Sequence, residues 1–190
     1  MTDAQPVTGV ILAGGRGQRM GGVDKGLVEY KGTPLIEHVI AVLSPQVDEL
    51  LINANRNIKI YEQYGYPIIA DELPEYPGPL AGMLTCLGNA THDHVVFVPC
   101  DTPALPDDLV ERLLHDMEQS GNRACFAHDG ERAQPVIAML RSSVQIPLAQ
   151  YMACGQSKVM DWMQQIAATP VDFCDSRTAF ANVNSPDDLQ

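Results

Sequence analysis

Four short apolar runs rich in β-branched residues, VTGVIL (7–12), LLINA (50–54), YPIIA (66–70) and HVVFVP (94–99), alternate with stretches of helical periodicity at 34–44, 57–64, 79–90 and 105–119. Strands separated by helices are joined through crossovers, so this alternation predicts βαβ units: an α/β fold of three layers, α/β/α, with a mostly parallel sheet buried on both faces. In such a sheet the strands end along one edge, and ligands of open α/β folds bind in the crevice there, where strand order reverses. The residues just past each run are chemically distinctive. The first run leads into the glycine loop LAGGRGQRMGGVDK (12–25), the second into Asn53 and Asn55, the third into Asp71 and the fourth into Asp101. Four strand ends therefore converge on one candidate site.

The last third has a different pattern. RACFAHDGERAQPVIAML (123–140) reads as two strands joined by a turn at Asp129-Gly130, a favoured hairpin dipeptide. Helical patterns at 142–154 and 157–167 and a strand at 170–174 come next. Together they predict a small antiparallel addition to the sheet, with residues after 150 forming a second half-site. In the closing NVNSPDDLQ, the residues Ser185, Pro186, Asp187 and Asp188 look like the N-cap and first turn of a helix within which the sequence stops, as a truncated end would. No repeat, low-complexity tract or linker divides the 190 residues, so a single domain, 1–190, is expected. A chain of this length can bury roughly 70% of its unfolded surface without a disulfide or metal staple.

The cationic loop stands out because the chain carries a formal net charge of -12. That field repels polyanions and argues against non-specific binding to nucleic acid or an anionic membrane. A small anion can still bind where positive groups gather locally, as Arg16, Arg19 and Lys25 do. The five cysteines, Cys86, Cys100, Cys125, Cys154 and Cys174, are far apart and form no Cys-x-x-Cys pair, which reads as reduced, buried thiols rather than a disulfide framework or zinc site. The start MTDAQPVTGV lacks export features, and no apolar run approaches ~20 residues, so a cytoplasmic location is expected.

Each candidate residue has a bland reading beside a chemical one. Glycines after a first strand serve either as a flexible turn or as a nest of amides that closely approaches a phosphate; the spacing fits neither a dinucleotide fingerprint nor a P-loop. Lys25 is either a solvated lysine or a point charge for the β- and γ-phosphates of a nucleotide. Asp101 either caps a turn or holds Mg²⁺, a hard cation that takes one or two carboxylates and completes its octahedron with phosphate oxygens and water. Asp71 has the same turn alternative, and could accept hydrogen bonds from a base or sugar. In YPGPLAG (76–82), Pro79 starts a helix whose glycine-lined entrance would let a flat base lie against the backbone. His38, His92, His94, His115 and His128 have no metal-binding spacing and read as structural or surface residues. Phosphoryl or nucleotidyl transfer suits a site without a nucleophilic side chain or histidine base.

Five motifs in order, GVILAGGRGQRMGGVDKGL, INANR, YPGPLAGM, PCDTP and NVNSPDDL, closely resemble the bacterial molybdenum cofactor guanylyltransferase family over essentially the whole chain. The resemblance implies a Rossmann-like nucleotidyltransferase fold, and an enzyme that joins GMP from GTP to molybdopterin, with or without molybdenum, and releases pyrophosphate with Mg²⁺. By motif match, Leu12, Ala13, Gly14 and Gly15 would hold the nucleotide, Lys25 its phosphates, Asn53 and Asp71 the guanosine, and Asp101 both GTP and the metal. Gly78 and Gly82 would lie beside the base. Arg19, Lys25 and Asp101 would form the catalytic set, with Lys158, Asn182 and Asn184 in the pterin half of the cleft. Lys158 stands where this family leads one to expect arginine, keeping the charge without the bidentate fork. The resemblance also implies a monomer that meets other molybdenum cofactor biosynthesis proteins and molybdoenzyme chaperones. A sugar-phosphate or cytosine-specific nucleotidyltransferase, and a nucleotide-binding module without turnover, are the rival readings.

Overall fold

A computed structural model describes residues 5–15, 23–72 and 78–183. Strand β1 (Val7–Leu12) is buried along its whole length and is followed by a two-stranded ribbon, β2 (Glu29–Tyr30) and β3 (Thr33–Pro34), and by helix α1 (Leu35–Leu43). Next come β4 (Glu49–Asn53), the short α2 (Ile58–Tyr61), β5 (Ile68–Ile69), α3 (Pro79–Asn89) and β6 (His94–Pro99). The remaining elements are α4 (Leu109–Ser120), β7 (Ala124–His128), β8 (Ala133–Arg141), α5 (Gln145–Ala153), α6 (Val159–Gln165) and β9 (Thr169–Asp172).

The large sheet has seven strands in the order β5-β4-β1-β6-β8-β7-β9. β1 is paired in parallel on both sides, with β4 from Thr8↔Glu49 to Leu12↔Asn53 and with β6 from Val7↔His94 to Leu12↔Pro99. The chain therefore builds outward through β4 and β5, then returns to the other side of β1 for β6. This reversal is the switch point expected from the sequence.

Alternation along the strands divides the core into two layers. Ile11, Val96 and Val98 face a cluster with Val39 and Leu43 of α1, Tyr61 of α2 and Leu109, Leu113 and Met117 of α4. Val10, Val95 and Phe97 face the other cluster, with Leu80, Met83 and Leu87 of α3, Leu148 and Met152 of α5 and Trp162 of α6. Helices thus cover both faces of one sheet, as a parallel arrangement requires.

Four expectations are refined. The hairpin adds one antiparallel strand: β8 runs against both β6 and β7, while β7 and β9 run with the parallel set. Helix α4 begins at Leu109 rather than 105, because Pro106 disfavours helix in the residue before it; Leu109 donates to its carbonyl at 3.2 Å. The β2–β3 ribbon was not anticipated; its turn places Lys31 and Gly32 at positive φ, a two-residue geometry whose sequence signal, Lys-Gly, is weaker than Asn-Gly. Cys86, Cys100 and Cys125 are buried, but Cys154 and Cys174 are exposed, correcting the expectation of five buried thiols. Cys154 comes after the last turn of α5 and Cys174 after β9, so both leave the packed layers. Among the described residues, no helix is long and apolar enough to cross a membrane.

The amino ends of the central strands are tied by a polar network away from the candidate site. Buried Thr8 donates to Glu49 Oε2 at 2.6 Å, and Thr91 donates to the same carboxylate through its amide at 2.8 Å and its hydroxyl at 2.7 Å. Burial alone would raise the Glu49 pKa, yet the hydrogen bonds from Thr8 and Thr91 outweigh it and hold the group below its ordinary value of 4.5. A depressed carboxyl stabilises the fold fully above its unfolded pKa, and that contribution is lost as pH falls through the folded value. Glu49→Gln is therefore expected to cost about 1 kcal/mol at pH 7. Urea unfolding should show the gap from the parent protein closing once the pH is well below the ordinary carboxylate range.

Candidate active site

The carboxyl end of β1 is fixed by its neighbours before the glycine loop begins. Ala13 N–H donates to the Asn53 carbonyl at 2.8 Å and Cys100 N–H to the Leu12 carbonyl at 3.2 Å, so the β1, β4 and β6 ends stay in register as they leave the sheet. Two side chains from beyond β4 then hold the start of the loop. Asn55 Nδ2 donates to the Gly14 carbonyl at 3.3 Å and Arg56 Nη2 to the Gly15 carbonyl at 3.0 Å. In a trans peptide the N–H points opposite the C=O, so binding the Gly14 carbonyl turns the Gly15 N–H away from Asn55. The direction of the Gly15 amide is thereby fixed.

The glycines here differ in what surrounds them. A side chain at Gly14 would meet Asn55 Nδ2 at 2.8 Å and Asn53 Oδ1 at 3.0 Å, so this position is needed for close approach. At Gly15 none of the described residues comes within 4 Å in the corresponding direction.

Asn53, Asn55 and Asp71 form one unit. Buried Asn53 donates through Nδ2 to Asp71 Oδ1 at 2.8 Å and to the Ile69 carbonyl at 3.0 Å. Asn55 donates to Asp71 Oδ2 at 2.7 Å and accepts the Asp71 N–H at 2.8 Å. Both carboxylate oxygens of Asp71 are thus engaged by amides, which locks its orientation while leaving further lone pairs for a ligand. Gly82, in the first turns of α3, packs onto the same asparagine: an added Cβ would lie 2.3 Å from Asn53 Oδ1. Gly78 precedes α3 at φ 125°, and none of the described residues comes within 4 Å of where a Cβ would stand.

Across the switch point, Lys25 Nζ meets Asp101 Oδ2 at 2.8 Å. Asp101 lies just past β6, and its backbone carbonyl accepts the Val183 N–H at 2.9 Å. Its other carboxylate oxygen, Oδ1, is buried with no hydrogen-bond donor among the described residues. A buried carboxylate oxygen without a donor is costly, so a cationic or donor ligand is the natural complement. The adjacent Cys100 thiol is pushed upward by burial and then by the charges of Asp101 and Asp24, so it stays protonated and is no nucleophile at neutral pH.

The structure brings Leu12, Ala13, Gly14, Gly15, Asn53, Asp71 and Gly82 together on one side of this edge and Lys25 with Asp101 on the other. Asn182 joins through Thr102, whose hydroxyl donates to Asn182 Oδ1 at 2.8 Å. Asn182 also lines a cavity of about 410 Å³ with Arg132, Gln134 and Arg177. Lys158 does not line this cavity; its side chain is 81% exposed and lies 3.8 Å from Asp161. Arg19 and Asn184 fall outside the described residues, as do the expected helix start at Ser185 and the loop's Arg16.

A MobA-like NTP transferase domain matches residues 9–169, which include every element of this edge up to β9. The chain belongs to the MobA-like NTP transferase family. It is 44% identical over 184 residues to a molybdenum cofactor guanylyltransferase of Shewanella sediminis, covering 97% of this chain and 94% of the relative. With the molybdenum cofactor guanylyltransferase of Pasteurella multocida it shares 45% over 181 residues, 95% of this chain and 96% of the relative. The crystal structure of molybdopterin-guanine dinucleotide biosynthesis protein A from Archaeoglobus fulgidus superposes with a TM-score of 0.81 at 24% identity, covering 96% of this chain and 94% of that one. That likeness establishes the α/β nucleotidyltransferase fold, and membership of the MobA-like NTP transferase family makes the chain a nucleotidyltransferase.

Sequence reasoning named Asn55 as a strand-end residue but gave it no role, and it passed over Arg56 except as part of a motif. Their signal was available in the INANR run: two polar side chains, Asn55 and Arg56, directly beyond a buried strand that itself ends in Asn53. Their work is to hold the loop, and that depends on a contact with residues 41 positions earlier. Gly82→Ala tests the packing. Alanine gains about 1 kcal/mol in helix propensity, but Asn53 is short, pinned by two hydrogen bonds and unable to retreat. Overpacking should win, giving a net loss of about 1–2 kcal/mol in urea unfolding.

Proposed function

We propose that this nucleotidyltransferase is a molybdenum cofactor guanylyltransferase that transfers GMP from GTP to molybdopterin, with or without molybdenum, and releases pyrophosphate. The reading is supported by the names of the full-length relatives and, in the structure, by one observation above all. The Lys25–Asp101 pair stands just past the end of β6, which is paired with β1 where the glycine loop begins, and among the described residues one carboxylate oxygen of Asp101 has no donor. In this reading a single catalytic domain holds GTP with its N-terminal half and the pterin with its C-terminal half.

Leu12, Ala13, Gly14 and Gly15 form the nucleotide-facing loop, and the Gly15 amide aims at phosphate. Asn53 and Asp71 receive the guanosine, with Gly78 and Gly82 beside the base. Lys25 takes the β- and γ-phosphates, exchanging one oxyanion partner, Asp101, for others, and Arg19 adds charge from the loop. The pterin acceptor enters from the side of Asn182, whose cavity is lined by Arg132 and Arg177 together with Asp129 and Glu131; Arg177 pairs with Glu131 at 2.8 Å and would exchange that partner for the acceptor's phosphate. Asn184 is assigned to the same half, as is Lys158, which stands apart from this cavity.

The donor set fits Mg²⁺. Among the described residues no group of three or more His, Cys, Asp or Glu could hold a metal ion, and a lone hard carboxylate is what Mg²⁺ uses when phosphates and water supply the remaining ligands. Asp101 would hold it, and the bound ion would neutralise phosphate charge at the reacting centre.

The chain's own residues supply position and charge. A terminal phosphate monoester has a second pKa near ~6, so the acceptor is largely dianionic at neutral pH and needs no general base. One of its oxygens attacks the α-phosphorus of GTP in line; the bond from that phosphorus to the bridging oxygen breaks, and pyrophosphate departs with the electron pair. The barrier to overcome is repulsion between two polyanions. Loop amides, Lys25 and Arg19 offset it, and positioned charge of this sort is where catalysis of this kind resides.

Pyrophosphate release with molybdopterin and each of GTP, CTP, ATP and UTP tests the assignment: GTP alone should support turnover. Preference for CTP, or turnover only with a sugar phosphate, would replace it with another nucleotidyltransferase. Asp101→Ala should keep its circular dichroism spectrum and lose about a hundredfold or more in turnover. Lys25→Ala should weaken GTP handling about tenfold or more while leaving pterin binding near its original value.

A further inference from the structure

Lys25 sits in a single 3₁₀ turn, Lys25–Leu27, closed by two backbone bonds, Leu27 N–H to the Asp24 carbonyl and Val28 N–H to the Lys25 carbonyl, each at 3.1 Å. So short a turn cannot by itself aim a long, flexible side chain. What seats it lies beneath. Asp24 is only 7% exposed, and both oxygens of its carboxylate are used: Oδ1 accepts from the Tyr61 hydroxyl at 2.5 Å and Oδ2 from Asn57 Nδ2 at 3.0 Å. Tyr61 is fully buried at the end of α2, and burial together with the Asp24 charge pushes its pKa far above 10, so the phenol remains a donor. Asn57 precedes α2 in the left-handed region, at φ 51° and ψ 29°. The turn also rests directly on the phenol: a side chain at Gly26 would lie 2.6 Å from Tyr61 Oη.

A carboxylate is expensive to bury and is kept where its hydrogen bonds fix something that matters. Here the residue it fixes is the next one in the chain, whose ammonium reaches 2.8 Å from Asp101. We propose that Asp24, clamped by Tyr61 and Asn57, is a positioning residue for Lys25: the buried clamp sets the turn that directs the lysine at the phosphates of the nucleoside triphosphate. The inference rests on the phosphate role given to Lys25 above.

Equilibrium binding of GTP with Mg²⁺, measured by calorimetry without acceptor, tests it in four proteins: the parent, Tyr61→Phe, Lys25→Ala and the double variant. Tyr61→Phe should weaken GTP about tenfold, the worth of one hydrogen bond to a charged group. In the Lys25→Ala background the same substitution should change nothing further, because the residue it positions is gone. A full tenfold loss in both backgrounds overturns the proposal alone. Unchanged GTP affinity in Lys25→Ala overturns the underlying phosphate role as well, so the two failures are distinguishable. Thermal unfolding gives a readout independent of ligand. Gly26→Ala should lower the melting temperature of the parent and lower it less in Tyr61→Phe, where the clashing oxygen is absent; equal losses in both would show that the turn does not rest on this hydroxyl.

Discussion

Double-sided pairing of β1 is the constraint from which the site derives. With β4 on one flank and β6 on the other, every position from Thr8 to Leu12 is registered against both neighbours, and the strand has no freedom to slide. The residues just past its end, past Asn53 and past Pro99 are consequently delivered to one edge. The chemistry is carried by the segment that each strand runs into, and the sheet decides that those segments meet.

Once assembled, that edge solves an electrostatic conflict. A nucleotidyltransferase with a formal net charge of -12 must admit a polyphosphate, and in the proposed reading attraction is concentrated at short range. Backbone amides, Lys25 and a cation held by Asp101 would act over a few ångströms, where the diffuse negative field is least able to compete. Hydrogen bonds beneath the edge, among Asn53, Asn55 and Asp71 on one side and Asp24, Tyr61 and Asn57 on the other, keep those groups from relaxing when the ligand is absent.

Much of this was legible from residue patterns. The boundaries of β1 and β6 were read correctly because continuous burial leaves an uninterrupted apolar run, and the switch point came from strand order once parallel pairing was expected. Asp101 and Lys25 were picked out by their places after a strand and between glycines, and the structure puts them in contact. What could not be read depends on distant partners. Tyr61 looks like one more apolar helix residue until Asp24 is seen against it, and Asn55 acts on a backbone carbonyl that sequence does not display. The direction of β7 was missed because a hairpin reveals that two strands oppose each other, not which of them pairs with β6.

The return of the chain to β1 for its second partner has a price during synthesis. Until His94 to Pro99 have emerged from the ribosome, one flank of β1 displays a row of unmatched amides and carbonyls amid apolar side chains, the very template that recruits foreign strands. A nascent chain of this kind spends the first half of its translation as a sheet with an open seam. Its fate in the cell therefore depends on how fast the ribosome closes that seam or on what shields it meanwhile, a vulnerability that the finished protein, with its middle strand enclosed, no longer carries.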